Sequence, residues 1–125
     1  MIQTPHTGHS LLIVEDDFDI REMLKMFLEG EGYVVHAVAN GREALNYLQQ
    51  EAAPCLILLD LLTPIMDGWE LRERLKQDPV LDRIPVVVVS AVSDARRQAG
   101  VIGAMVHVRK PVDLNKVLDA VKTFC

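Results

Sequence analysis

Five short apolar runs, separated by longer amphipathic segments, constrain this chain more than any other feature. The runs are LLIV (11–14), YVVHAV (33–38), CLILLD (55–60), PVVVVS (85–90) and AMVHV (104–108). The third and fourth have little polar alternation, which is the pattern of strands covered on both faces. Between the runs, Ile20, Leu24, Phe27 and Leu28 form one helical stripe. Ala44, Leu45 and Leu48 form a second, and Leu114, Val117, Leu118 and Val121 a third. Asp19 with Glu22, Asn40 with Glu43, and Asp67 with Glu70 have the spacing of capping boxes, with Asp or Asn as the cap. Gly30, Gly32, Pro54 and Pro79 mark stops. Because strand-to-strand crossovers are right-handed, this alternation predicts an α/β fold: a single three-layer (βα)5 domain. Its five-stranded parallel sheet has the order 2-1-3-4-5, with helices on both faces.

One domain accounts for the 125 residues. Residues 1–9 are polar and read as a flexible leader, and 10–125 as the domain. Thirteen Lys and Arg against eighteen Asp and Glu give a charge of -5. That leaves no excess of positive charge to neutralise phosphates, so nucleic acid is not expected as a direct partner. No apolar run approaches the ~20 residues of a membrane span, and MIQTPHTGHS lacks the regions of a signal peptide. Cys55 and Cys125 are too few for a disulfide framework and fit no zinc spacing, so a reducing cytoplasm is the expected compartment.

In a sheet of this order, ligands sit beyond the carboxyl ends of the strands, near the switch point between strands 1 and 3. The residues expected there are polar. Strand 1 ends in Glu15, Asp16 and Asp17, strand 3 in Asp60 and strand 4 in Ser90, and strand 5 runs into Lys110-Pro111. Carboxylates so close repel one another, unless one keeps a proton or a cation joins them. One lysine cannot balance three or four acids. A hard divalent cation can, and few carboxylates plus water suit magnesium better than calcium. No Ser-His-Asp or Cys-His set converges. A strand-end carboxylate beside a divalent cation and an ammonium suits attack on phosphorus, and Asp60 is the best nucleophile candidate.

At these residues the chain resembles the receiver domains of two-component response regulators. The marks are LLIVEDD, LLDLLTPIMDGWEL, VVVVSA and GAMVHVRKP, in order, over about residues 10–124. The resemblance implies a signalling phosphoacceptor, not a conventional enzyme, that catalyses its own phosphorylation and dephosphorylation. Asp60 would take a phosphoryl group from a phosphohistidine. Mg2+ would be held by Glu15, Asp16, Asp60 and the Leu62 backbone carbonyl. Lys110 and Ser90 would complete the chemistry, and the Lys110-Pro111 bond would be cis. Ser90 and His107 would form the switch, with His107 standing where the family usually has Tyr or Phe. Implied partners are a sensor histidine kinase or histidine phosphotransfer protein. A downstream protein or output domain would be met through the helix predicted near 95–101, the fifth strand and the last helix. The sequence leaves a homodimer through that face open. It also leaves open whether the chain acts alone or belongs to a longer regulator or hybrid kinase. Apolar Leu62 and Val92 predict slow self-dephosphorylation.

Several residues have plainer readings. Asp17 is expected to start the first helix rather than bind metal, Asp19 to be its cap, and Asp67 to cap the third. Gly68 reads as a backbone requirement, Trp69 and Met66 as packing, and Arg72, Arg74 and Lys76 as a solvated face. An aspartyl-nucleophile hydrolase would need a second acid two residues past Asp60, where Leu62 stands. A pseudo-receiver would not need the acid, hydroxyl and lysine set. A flavodoxin would need a hydroxyl-rich phosphate loop.

Overall fold

A computed structural model describes residues 9–91, 100, 103–104 and 106–125. The elements run β1 (Ser10–Val14), α1 (Phe18–Gly30), β2 (Val34–Val38), α2 (Gly41–Gln50), β3 (Leu56–Leu59) and α3 (Gly68–Lys76). A 3-10 turn (Leu81–Arg83), β4 (Val86–Ser90), β5 (Val106–Arg109) and α4 (Leu114–Phe124) follow. The strands pair in parallel in the order β2-β1-β3-β4-β5, as expected. The helix predicted near 95–101 (apart from Gly100), Val92 and nearly all of the leader lie outside the described residues.

Alternation along the strands sends side chains into two cores. Leu12, Val14, Ile57, Leu59, Val86 and Val88 meet α2 and α3 on one face. Leu11, Ile13, Leu56, Leu58, Val87, Val89 and Val108 meet α1 and α4 on the other. β3 and β4 are buried at every position, which explains their unbroken apolar runs.

The caps explain where the helices start and stop. Asn40 Oδ1 accepts from the Glu43 N–H at 2.9 Å, and Asp67 Oδ1 from the Glu70 N–H at 2.9 Å. For α1 the expectation is corrected. Asp17, not Asp19, is the cap, its Oδ1 accepting from the Ile20 N–H at 3.0 Å, and Asp19 lies in the first turn. α1 stops at Gly32, whose φ of 98° is the left-handed conformation that favours glycine. Gly32 N–H donates to the Glu29 carbonyl and Tyr33 N–H to the Leu28 carbonyl, the paired bonds of a Schellman cap.

Two further readings are corrected. Arg72 is not a solvated side chain: it is 11% exposed and pairs with Asp82 at 3.0 Å, bracing the 3-10 turn ahead of β4. Cys55 and Cys125, read as too few for a disulfide framework and as suited to a reducing compartment, are joined as a disulfide with Cα atoms 5.5 Å apart. The bond ties the end of α4 to the start of β3, at the end of the sheet opposite the strand carboxyl ends. Among the described residues no helix is long and apolar enough to cross a membrane.

Candidate functional site

The ladders between β1, β2 and β3 continue past the strand ends and deliver the acids. Glu15 N–H donates to the Val38 carbonyl at 3.0 Å, and Asp60 N–H to the Val14 carbonyl at 2.9 Å. From the other side, Lys110 N–H donates to the Ser90 carbonyl at 3.1 Å, which ties the lysine to the end of β4. The Lys110-Pro111 bond is cis.

Three separate strands therefore contribute to one cluster. Lys110 Nζ lies 2.7 Å from Glu15 Oε1 and 3.2 Å from Asp60 Oδ2. Glu15 and Asp60 are buried, and Asp16 is exposed at the rim. One carboxylate oxygen from each of Glu15, Asp16 and Asp60 lies within 4.8 Å of the others. Among the described residues three acids face one ammonium, so the cluster fits a hard divalent cation bound through oxygen.

Burial pushes the Glu15 carboxyl up to about 7. The charge of Asp60 adds to the rise, while hydrogen bonds from Lys110 and the Asp17 N–H oppose it. Burial alone would lower the Lys110 ammonium, but the Glu15 hydrogen bond and the charge of Asp60 outweigh it and raise it.

The loop after β3 is shaped around Asp60. Leu62 N–H donates to Asp60 Oδ1 at 3.1 Å, while the Leu62 side chain is exposed. Thr63 Oγ1 donates to the Met66 carbonyl at 2.8 Å. Gly68 N–H donates to the Leu61 carbonyl at 2.9 Å, and a Cβ on Gly68 would come within 2.8 Å of Leu61 Cα. The glycine is thus a backbone requirement, as expected. Ile65, at φ 70°, is a β-branched residue in left-handed backbone.

A family model described as the response regulator receiver domain matches residues 11–122. The chain belongs to this family. The receiver domain is 38% identical over 120 residues to sporulation initiation phosphotransferase F of Bacillus subtilis, with 94% of each chain covered. It is 35% identical to the transcriptional regulatory protein CrdR of Helicobacter pylori, covering 91% of this chain but 54% of that protein. The receiver domain therefore spans about half the length of that regulator. Among solved structures, it superimposes with a TM-score of 0.84 on the signal receiver domain of a signal transduction histidine kinase from Syntrophus aciditrophicus. The two are 38% identical, covering 94% of this chain and 89% of that one.

The structure brings together Glu15, Asp16, Asp60 and Lys110, with the Leu62 backbone beside Asp60. Ser90 is fully buried at the end of β4. His107 pairs with Val88 on β4, two residues before Ser90, so Ser90 and His107 share one face of the sheet. Val106, Val108, Lys116, Asp119 and Thr123 line a cavity of about 310 Å³ between β5 and α4, which His107 borders.

Sequence reasoning missed Arg21. Its Nη1 donates to the Glu15 carbonyl at 2.9 Å and to the Asp16 carbonyl at 3.4 Å, and its guanidinium lies over the Phe18 ring at 5.4 Å. Arg21 thus holds the backbone of the acidic turn. Only its position one helical turn after the acids hinted at this.

Proposed function

We propose that this receiver domain accepts a phosphoryl group on Asp60 from a phosphohistidine, using Mg2+, and so switches a protein-interaction surface. The observation that carries the reading is the position of Lys110 Nζ, within 3.2 Å of both Asp60 Oδ2 and Glu15 Oε1. That ammonium can stabilise charge on a phosphoryl group arriving at Asp60.

In the proposed step, a carboxylate oxygen of Asp60 attacks phosphorus and the P–N bond breaks. The electron pair leaves on the donor imidazole. Lys110 and the Ser90 hydroxyl would donate to the oxygens of the transferred group. Glu15, Asp16, Asp60 and the Leu62 carbonyl would hold Mg2+, which when bound supplies charge neutralisation. In the self-catalysed dephosphorylation, water attacks phosphorus, the P–O bond to Asp60 breaks, and inorganic phosphate leaves with the carboxylate restored. The exposed apolar side chain of Leu62 cannot orient that water, which favours slow hydrolysis.

The donor would be a sensor histidine kinase or a histidine phosphotransfer protein in the cytoplasm. The phosphorylated Asp60 would draw Ser90 toward the site and release His107 on the same sheet face, changing the surface formed by the helix predicted near 95–101, β5 and α4. A downstream protein or output domain would read that surface.

Trp69 packs against the core beside the acceptor loop and serves as the reporter. Titrating Mg2+ into the protein should change Trp69 fluorescence, and a small phosphodonor should change it again only when Mg2+ is present. A donor response that is equal without Mg2+ contradicts the reading.

A further inference from the structure

Cys55 and Cys125 stand at the opposite end of the strands from the acidic cluster, and the proposed phosphoryl chemistry does not use them. Contacts that involve no sulfur set their backbones in place. Cys55 N–H donates to the Ser10 carbonyl at 2.8 Å, extending the β1–β3 ladder. Cys125 N–H donates to the Val121 carbonyl at 2.8 Å and closes the last turn of α4. α4 is itself fixed by buried Val117, Ala120 and Val121. The resulting Cα separation of 5.5 Å lies in the range that disulfides adopt. The residues are 70 apart in sequence, so local chain geometry does not produce this approach.

A reduced Cys55 would also have a hydrogen-bond acceptor in reach. Cys55 Sγ lies 3.1 Å from the Ser10 carbonyl, an acceptor that a thiol can use and a disulfide cannot. Both cysteines are half-buried rather than sealed in the core. In a reducing compartment such a pair rests as thiols and closes when conditions become oxidising.

We infer that Cys55 and Cys125 form a reversible thiol–disulfide modification site, which fastens the end of α4 to the start of β3 when low-molecular-weight disulfides accumulate. One cysteine thiolate attacks a sulfur of the small disulfide. That S–S bond breaks, one half leaves as a thiolate, and a mixed disulfide forms. The second cysteine thiolate attacks the protein-bound sulfur and displaces the other half. Two cysteine thiols are oxidised to one disulfide. The reagent is reduced to two thiols, which take up the two protons the cysteines lose.

The bond closes a long loop in the unfolded chain and restrains fraying at the end of α4. The full chain, equilibrated in glutathione buffers from reducing to oxidising and then alkylated, tests this. Both thiols should disappear together, within the monomer. The thermal midpoint should rise by about 10 °C. Amide exchange over Lys116–Phe124 should slow about tenfold. Cys55→Ser and Cys125→Ser should each abolish the redox dependence of the midpoint. Asp60→Asn should leave the redox response intact, which separates this site from the phosphoacceptor reading. Thiols that stay titratable in oxidising buffer, a bond formed only between chains, or a closed bond that leaves exchange in α4 unchanged would each overturn the inference.

Discussion

Lys110 and Glu15 form a 2.7 Å ion pair in which the glutamate side chain is almost fully buried and the lysine side chain only 15% exposed. Glu15 follows β1 and Lys110 follows β5, so the pair forms only when β3 and β4 lie between them in the sheet. Asp60, at the end of β3, shares the same ammonium.

Burial of Glu15, which Lys110 only partly offsets, makes stability depend on pH. The folded value of Glu15, about 7, lies above the ordinary 4.5. Between those values the folded chain keeps a proton that the unfolded chain has released. The stabilisation is full below about 4.5 and is lost as pH rises through about 7. Thermal unfolding of metal-free protein should show a loss of roughly 2 kcal/mol across that window, relative to Glu15→Gln. Mg2+ needs the deprotonated acid, so its affinity should rise over the same range. Wild type and Glu15→Gln with the same pH slope would contradict this.

Lys110→Met should change two quantities in opposite directions. Removing the ammonium leaves the acids uncompensated, so Mg2+ should bind several-fold more tightly. Phosphorylation should slow by about 10²-fold, because a charge that stabilises the transferred group is gone. Calorimetric titration and the rate of labelling by a small phosphodonor check the two separately.

Arg21→Ala frees the carbonyls of Glu15 and Asp16 from their shared donor. Mg2+ affinity should fall roughly tenfold, as it does when residues that orient metal ligands are removed. Titration followed by Trp69 fluorescence measures it. Stability should drop by only about 1 kcal/mol, since the lost hydrogen bonds are partly exposed.

Ile65 is 80% exposed and holds a positive φ, so its side chain contributes little packing while its backbone is strained. Ile65→Gly should stabilise the fold by about 0.5–1 kcal/mol, read from denaturant unfolding. A destabilisation of similar size would mean that the side chain packs in a way its exposure hides.

The layered fold was legible because β3 and β4, buried at every position, need unbroken apolar runs, and because Asn40 and Asp67 cap where their spacing predicts. The cap of α1 was misjudged because Asp19 has an acid three residues later and Asp17 does not, although Asp17 makes the bond. The acids and Lys110 could be found from the rule that ligands gather at strand carboxyl ends. Arg21 could not, since a charge on a helix face gives no sign of which carbonyls it reaches. Arg72 with Asp82 and Cys55 with Cys125 were hidden for a related reason. Each pair meets only through the packing of separate elements.

The acceptor is the central claim, and mass spectrometry of protein incubated with Mg2+ and a small phosphodonor tests it most directly. Wild type should gain one phosphoryl group, found on the peptide that contains Asp60, and Asp60→Asn should gain none. Full labelling of Asp60→Asn, or a label on another peptide of the wild type, would contradict the account.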